Sequence, residues 1–246
     1  MTAALTLAGG PVMKAPHVYV AFWGSSWQSR AVVGTDHGYR YTSATVRRYV
    51  RSFFASIGSS SWARTLTQYQ SGRTQPAQLV GTYVDVRAIP RRVTMTQIAR
   101  EADRAWHHFG SPDPANSIIV VLTPKGHTPS IGRLCGYHDV ARHAPYIYIP
   151  FVPDTPGCGR DGVNPPDATG RGYLDGYSII GAHELAETIT DPTFTGWYDR
   201  TGNEIADRCA WTAPLGDVMT PAGLFAVPSL WSNQTQSCVL PERSAA

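Results

Sequence analysis

At 246 residues the chain is long enough for one large domain, and 42% hydrophobic against 16% charged residues excludes global disorder. A formal net charge of +3, with arginines scattered apart from Arg91-Arg92 beside Pro90, gives no nucleic-acid footprint. No apolar run approaches the roughly 18–20 residues that span a bilayer, and the opening MTAALTLAGGPVMKAP lacks the basic n-region of a signal peptide.

In chain order, HVYVAFWG (17–24) is a compact apolar and aromatic run that predicts a buried strand. In residues 43–58, Val46, Tyr49, Val50, Phe53, Phe54 and Ile57 recur at helical spacing, with Ser43 placed to cap the start and Gly58 to close the end. Residues 79–86 alternate and are β-branched, so they predict a second strand, which Pro90 ends. A second helix follows over 94–109, with Thr94 and Gln97 at capping-box spacing and Gly110 and Pro112 as its stop. SIIVVLT (117–123), apolar on both faces, predicts a central strand, and residues 146–151 another. Residues 153–171, rich in Pro, Gly and Asp, predict a long loop, and 174–190 a third helix. This order predicts an α/β (α+β) fold: one domain, 1–246, with helices packed on a mixed sheet. The stretch 192–246 is a candidate small C-terminal subdomain.

Four cysteines occur without any CxxC pair, which argues against a cysteine zinc site. Sequence proximity favours Cys135–Cys158 and Cys209–Cys238 among the three pairings, each bridge contributing about 3 kcal/mol by loop entropy; four free thiols are the alternative. Disulfides imply an oxidising compartment, hence a secreted, extracellular protein.

The chemistry sits on the third helix, in GAHELAETITD (181–191). Positions i and i+4 share a helix face, so His183 and Glu187 can hold one Zn2+ ion. Glu184, next to His183, occupies the general-base position of an HExxH enzyme; here the second histidine is replaced, giving HExxE. Ordinary surface placement of these three groups is the competing reading. The third ligand is expected from WYDRTGNEIADRCAW (197–211), where Glu204 is the first candidate and Asp207 an alternative. Asp191 is a further alternative, better read as a helix-end residue because Pro192 follows it. His138 is a candidate oxyanion-stabilising imidazole, or simply a histidine bonded beside a disulfide.

HELAETITD followed by WYDRTGNEIAD resembles the thermolysin-type (gluzincin) pattern. That resemblance implies a zincin-like domain, Glu204 as third ligand, Tyr198 as an oxyanion donor and Asp207 as a carboxylate bonded to His183 behind the ion. Glu187 in place of histidine and a Glu204-to-Asp207 spacing one residue short depart from it. A broader resemblance is to the Exordium or phosphate-induced-protein family: GGPVMKAPHVYVAFWG, LCGYHD and GAHELAETITDP…WYD…NEIADRC match its blocks in order. Its members are exported and have no assigned reaction. The expected function is a zinc metallopeptidase acting on a peptide or protein substrate. The alternative is a non-catalytic extracellular protein touching cell wall or glycan, with Trp23, Trp27, Trp197 and Trp231 as exposed aromatics.

Overall fold

The computed structural model describes residues 4–130, 132, 134–165, 171–210 and 212–240. Five strands form the central sheet: β1 (His17–Trp23), β2 (Gln78–Asp85), β3 (Ser117–Leu122), β4 (Tyr137–Val140) and β5 (Pro145–Ile149), in the order β2-β1-β3-β5-β4. The first four run parallel, and β4 closes one edge antiparallel to β5. The mixed α/β architecture expected from the sequence is therefore the one observed.

β2 and β3 flank β1 on opposite sides. Right-handed crossovers through α1 (Ser43–Ser56) and α2 (Met95–His108) then place these helices on opposite faces. One face carries Val18, Val20, Phe22, Ile118, Val120, Leu122, Ile147 and Ile149 against α1 and α3 (Asp175–Thr190). The other carries Tyr19, Ala21, Ile119, Val121, Tyr146 and Tyr148 against Ile98, Ala102 and Ala105 of α2. Apolar residues at every position of β3 after Ser117 follow from this double coverage.

The helix ends show where local chemistry differs from the expected form. Thr94 and Gln97 make the predicted capping box on α2. On α1 the cap is Thr42, paired with Thr45, while the hydroxyl of Ser43 donates to the carbonyl of Ser26. Gly58 does not close α1 in a left-handed turn. It lies in a 3-10 turn (Ile57–Ser59), where an added Cβ would sit 2.2 Å from the carbonyl oxygen of Ala77.

After α3, the hairpin β6 (Leu215–Thr220) and β7 (Gly223–Pro228) packs on that helix. Ile205, Val218, Phe225, Val227, Leu230 and Trp231 join the same core as α1, α3 and the sheet, so residues beyond 192 share the main hydrophobic interior. Both bridges, Cys135–Cys158 and Cys209–Cys238, are formed. Of the predicted loop and ligand segment, residues 166–170 and Trp211 lie outside the described residues. No helix among the described residues is long and apolar enough to cross a membrane.

Candidate metal centre

Helix α3 is buried on nearly all sides: 14 of its 16 residues are buried, and His183 is one of the two exceptions. Small residues permit this. A Cβ on Gly176 would stand 2.3 Å from the carbonyl oxygen of Cys158, and one on Gly181 would stand 3.0 Å from the ring of Phe53. Asp191 ends the helix, its Oδ1 accepting the backbone N–H groups of Thr195 and Gly196 at 2.8 Å each. That is the helix-end role expected for it, and Asp191 belongs to no candidate metal-binding group among the described residues.

Two stretches of chain converge on α3 beside His183 and Glu187. The edge strand β4 brings His138, and Gly136 lets it approach, since a Cβ there would lie 2.5 Å from Cγ2 of Ile180 on α3. The turn after residue 203 brings Glu204 and Asp207. This segment is a turn entering a 3-10 turn at Asp207–Cys209. The two disulfides anchor both arrivals, at Cys135 ahead of His138 and at Cys209 behind Asp207.

The geometry divides into two sets. His183 Nε2 stands 3.2 Å from Glu187 Oε1 and 3.3 Å from Asp207 Oδ1. His138 Nε2 stands 3.0 Å from Glu204 Oε2 and 3.8 Å from Glu187 Oε2. Each trio, His183–Glu187–Asp207 and His138–Glu187–Glu204, has its ligand atoms within 4.8 Å of one another and could hold a metal ion. The backbone N–H of Asp207 also donates to Glu187 Oε1 at 3.0 Å, fixing that carboxylate.

The expected trio of His183, Glu187 and Glu204 thus shares one cluster, but Glu204 turns to His138 and Asp207 takes its place beside His183. Asp207 faces the same ring nitrogen as Glu187, so it stands on the ligand side of the imidazole and not behind it. Tyr198 lies in a two-residue strand (Trp197–Tyr198) paired with Thr6–Leu7. It is not among the residues that line the cavity.

That cavity, about 500 Å³, is walled by the five residues of the two trios, by Glu184 and by Tyr137, Ile179, Ile180, Phe194 and Pro228. Phe194 was not foreseen. Its ring stacks on His138 with centroids 5.0 Å apart, and its backbone holds a φ of 57°. Nothing in the local sequence DPTFTGW singles out a phenylalanine for that conformation, which glycine or asparagine adopts more easily.

Burial of so many acids distorts their titration. Burial raises the pKa of Glu184 to about 7 against the pull of His183, and raises Glu204 to about 7 despite its bond to His138. For His138, burial pulls down, but the hydrogen bond to Glu204 and three carboxylate charges outweigh it and lift the ring to about 9. His183 is likewise raised, burial being overcome by Glu187 and Asp207. Its hydrogen bond holds Asp207 low. Without a cation the cluster must share protons to stay buried. A divalent ion would displace those protons from the imidazoles.

A donor test agrees with a metal. Imidazole nitrogens and carboxylate oxygens suit Zn2+ and similar first-row ions. Glu204 Oε1 is buried with no hydrogen-bond partner, an acceptor awaiting a positive group. The chain matches no protein-family model, no curated protein and no solved structure.

Proposed function

We propose that the protein is a secreted, zinc-dependent hydrolase that cleaves peptide bonds. The observation that carries this reading is His183, Glu187 and Asp207 in ligand range of one another, with the Glu184 carboxylate beside them in the same cavity. Zn2+, when bound, supplies a Lewis acid that polarises a carbonyl and acidifies water. The protein's own groups do the rest. Glu184, with a pKa near neutrality, takes a proton from water on one carboxylate oxygen and returns it to the leaving amine. Glu187, held by the N–H of Asp207, keeps its carboxylate aimed at His183. Phe194 and Ile180 add apolar surface to the cavity lining. The likeness of HELAE…NEIAD to the thermolysin-type pattern supports peptide as substrate, and the likeness to Exordium proteins and the two disulfides support export.

The competing reading, a binding protein for cell wall or glycan, draws on exposed tryptophans. Trp23, Trp27 and Trp231 are buried, and Trp197 spends its indole N–H on the carbonyl of Tyr69. Metal analysis of protein purified without added zinc, with peptidase assays of wild type and Glu184→Gln, tests the hydrolase. Absence of bound metal overturns the reading, and undiminished turnover in Glu184→Gln overturns the assigned base.

A further inference from the structure

We infer that this cluster is a dinuclear site, in which the two oxygens of Glu187 bridge two divalent cations. The inference rests on the metal-hydrolase reading and deepens it. The trios overlap in one residue only, and they use different oxygens of it: Oε1 faces His183, Oε2 faces His138. Among the described residues, no set within 4.8 Å contains both histidines. An ion bonded at about 2.0–2.2 Å needs its ligands within about 4.3 Å of one another, and each trio offers such an ion one imidazole. A carboxylate bridging through both oxygens sets two ions about 3.5–4 Å apart, the spacing of hydrolytic two-metal sites.

Charge points the same way. Glu184, Glu187 and Glu204 are buried and Asp207 stands at the rim, four carboxylates in one cavity. With all four ionised, one divalent ion on the His183 trio offsets two of the four charges, and His138, bonded to Glu204, can offset only one more. Two ions cancel all of it. Glu204, a member of the second trio, faces His138 with Oε2, and its other oxygen, Oε1, is buried without a hydrogen-bond partner, so a single ion at His183 would leave it orphaned in the interior. The two positions are not equivalent. The side chains of His138, Glu187 and Glu204 are 6%, 3% and 9% exposed, whereas His183 and Asp207 are 18% and 46% exposed. The inner ion should therefore bind more tightly and exchange more slowly than the outer one.

The test is a Zn2+ titration of the intact, disulfide-bonded chain, followed by native mass spectrometry and elemental analysis. Wild type is expected to saturate at two ions per chain, with two separable affinities. Asp207→Asn should keep only the inner ion, Glu204→Gln only the outer one, and Glu187→Gln should lose most of both. Saturation of wild type at one ion overturns the dinuclear proposal and leaves the hydrolase reading standing; no ion at all overturns both. X-ray absorption of the zinc-loaded wild type needs no variant to fold. A metal–metal vector near 3.5–4 Å supports the bridge, and its absence at full loading overturns it.

Discussion

Phe194 shows how a single residue joins backbone conformation to the site. Its φ of 57° is costly for a side chain with a Cβ, by about 1–2 kcal/mol, and the residue is 46% exposed although its ring stacks on His138. Phe194→Ala and Phe194→Asn both delete the ring, but asparagine tolerates the left-handed region. The Asn variant should be the more stable of the two by about 0.5–1 kcal/mol in urea denaturation, and both should raise KM for peptides without changing the ion count. Equal stability would mean that the backbone relaxes once the ring is gone. At Glu184 the expectation is purely chemical. Glu184→Gln keeps shape and burial but cannot accept the proton, so kcat should fall by about 10²–10⁴-fold with metal content unchanged.

Between elements, close approach governs α3 and charge governs α2. Gly176→Ala would favour the helix by about 1 kcal/mol on an exposed face. Here the new methyl meets the carbonyl of Cys158 and the side chain of Val152 at 2.3 Å each, so a net loss of about 1–3 kcal/mol is expected, measured by thermal melting. On α2, Glu101 is fully buried against β2, bonded to Arg104 and near Asp85 and the Tyr83 hydroxyl. Burial raises its pKa from 4.5 to about 7, Arg104 opposing and Asp85 adding to the rise. The folded chain then binds more protons than the unfolded one between these values. Stability from this group is fully present below about pH 4.5 and is lost as pH rises through about 7. Glu101→Gln, which cannot ionise, should therefore gain on wild type by up to about 3 kcal/mol across that window, read by urea denaturation at several pH values. A constant difference between the two proteins would show Glu101 ionised throughout.

For the whole molecule, the long periodic elements were legible because their signal is local. α1, α2, α3 and the inner strands follow from apolar spacing, caps and prolines. What stayed hidden is what depends on distant chain. The antiparallel edge β4 is four residues long and half polar, so YHDV carries no strand signal, and with it His138's meeting with Glu204 was out of reach. The segment 199–210 offered Glu204 and Asp207 correctly as carboxylates, but which histidine each would face depends on a turn locked by Asp199, whose carboxylate accepts from Thr201 and Asn203 and pairs with Arg208. The disulfides, read from proximity alone, tie these late-arriving parts to the core, and this links stability to the metal site. Cys209–Cys238 closes a loop of 29 residues, worth about 3–4 kcal/mol of unfolded-state entropy. It also anchors the turn two residues beyond Asp207. Replacing both cysteines by serine should thus do two separable things: lower the unfolding free energy by about 3 kcal/mol, and weaken the outer ion on the His183 trio more than the inner ion on the His138 trio. Denaturation of the metal-free variant reads the first effect, and zinc titration at a temperature where it remains folded reads the second. An equal loss of affinity at both positions would show that this bridge acts on global stability alone and does not position Asp207.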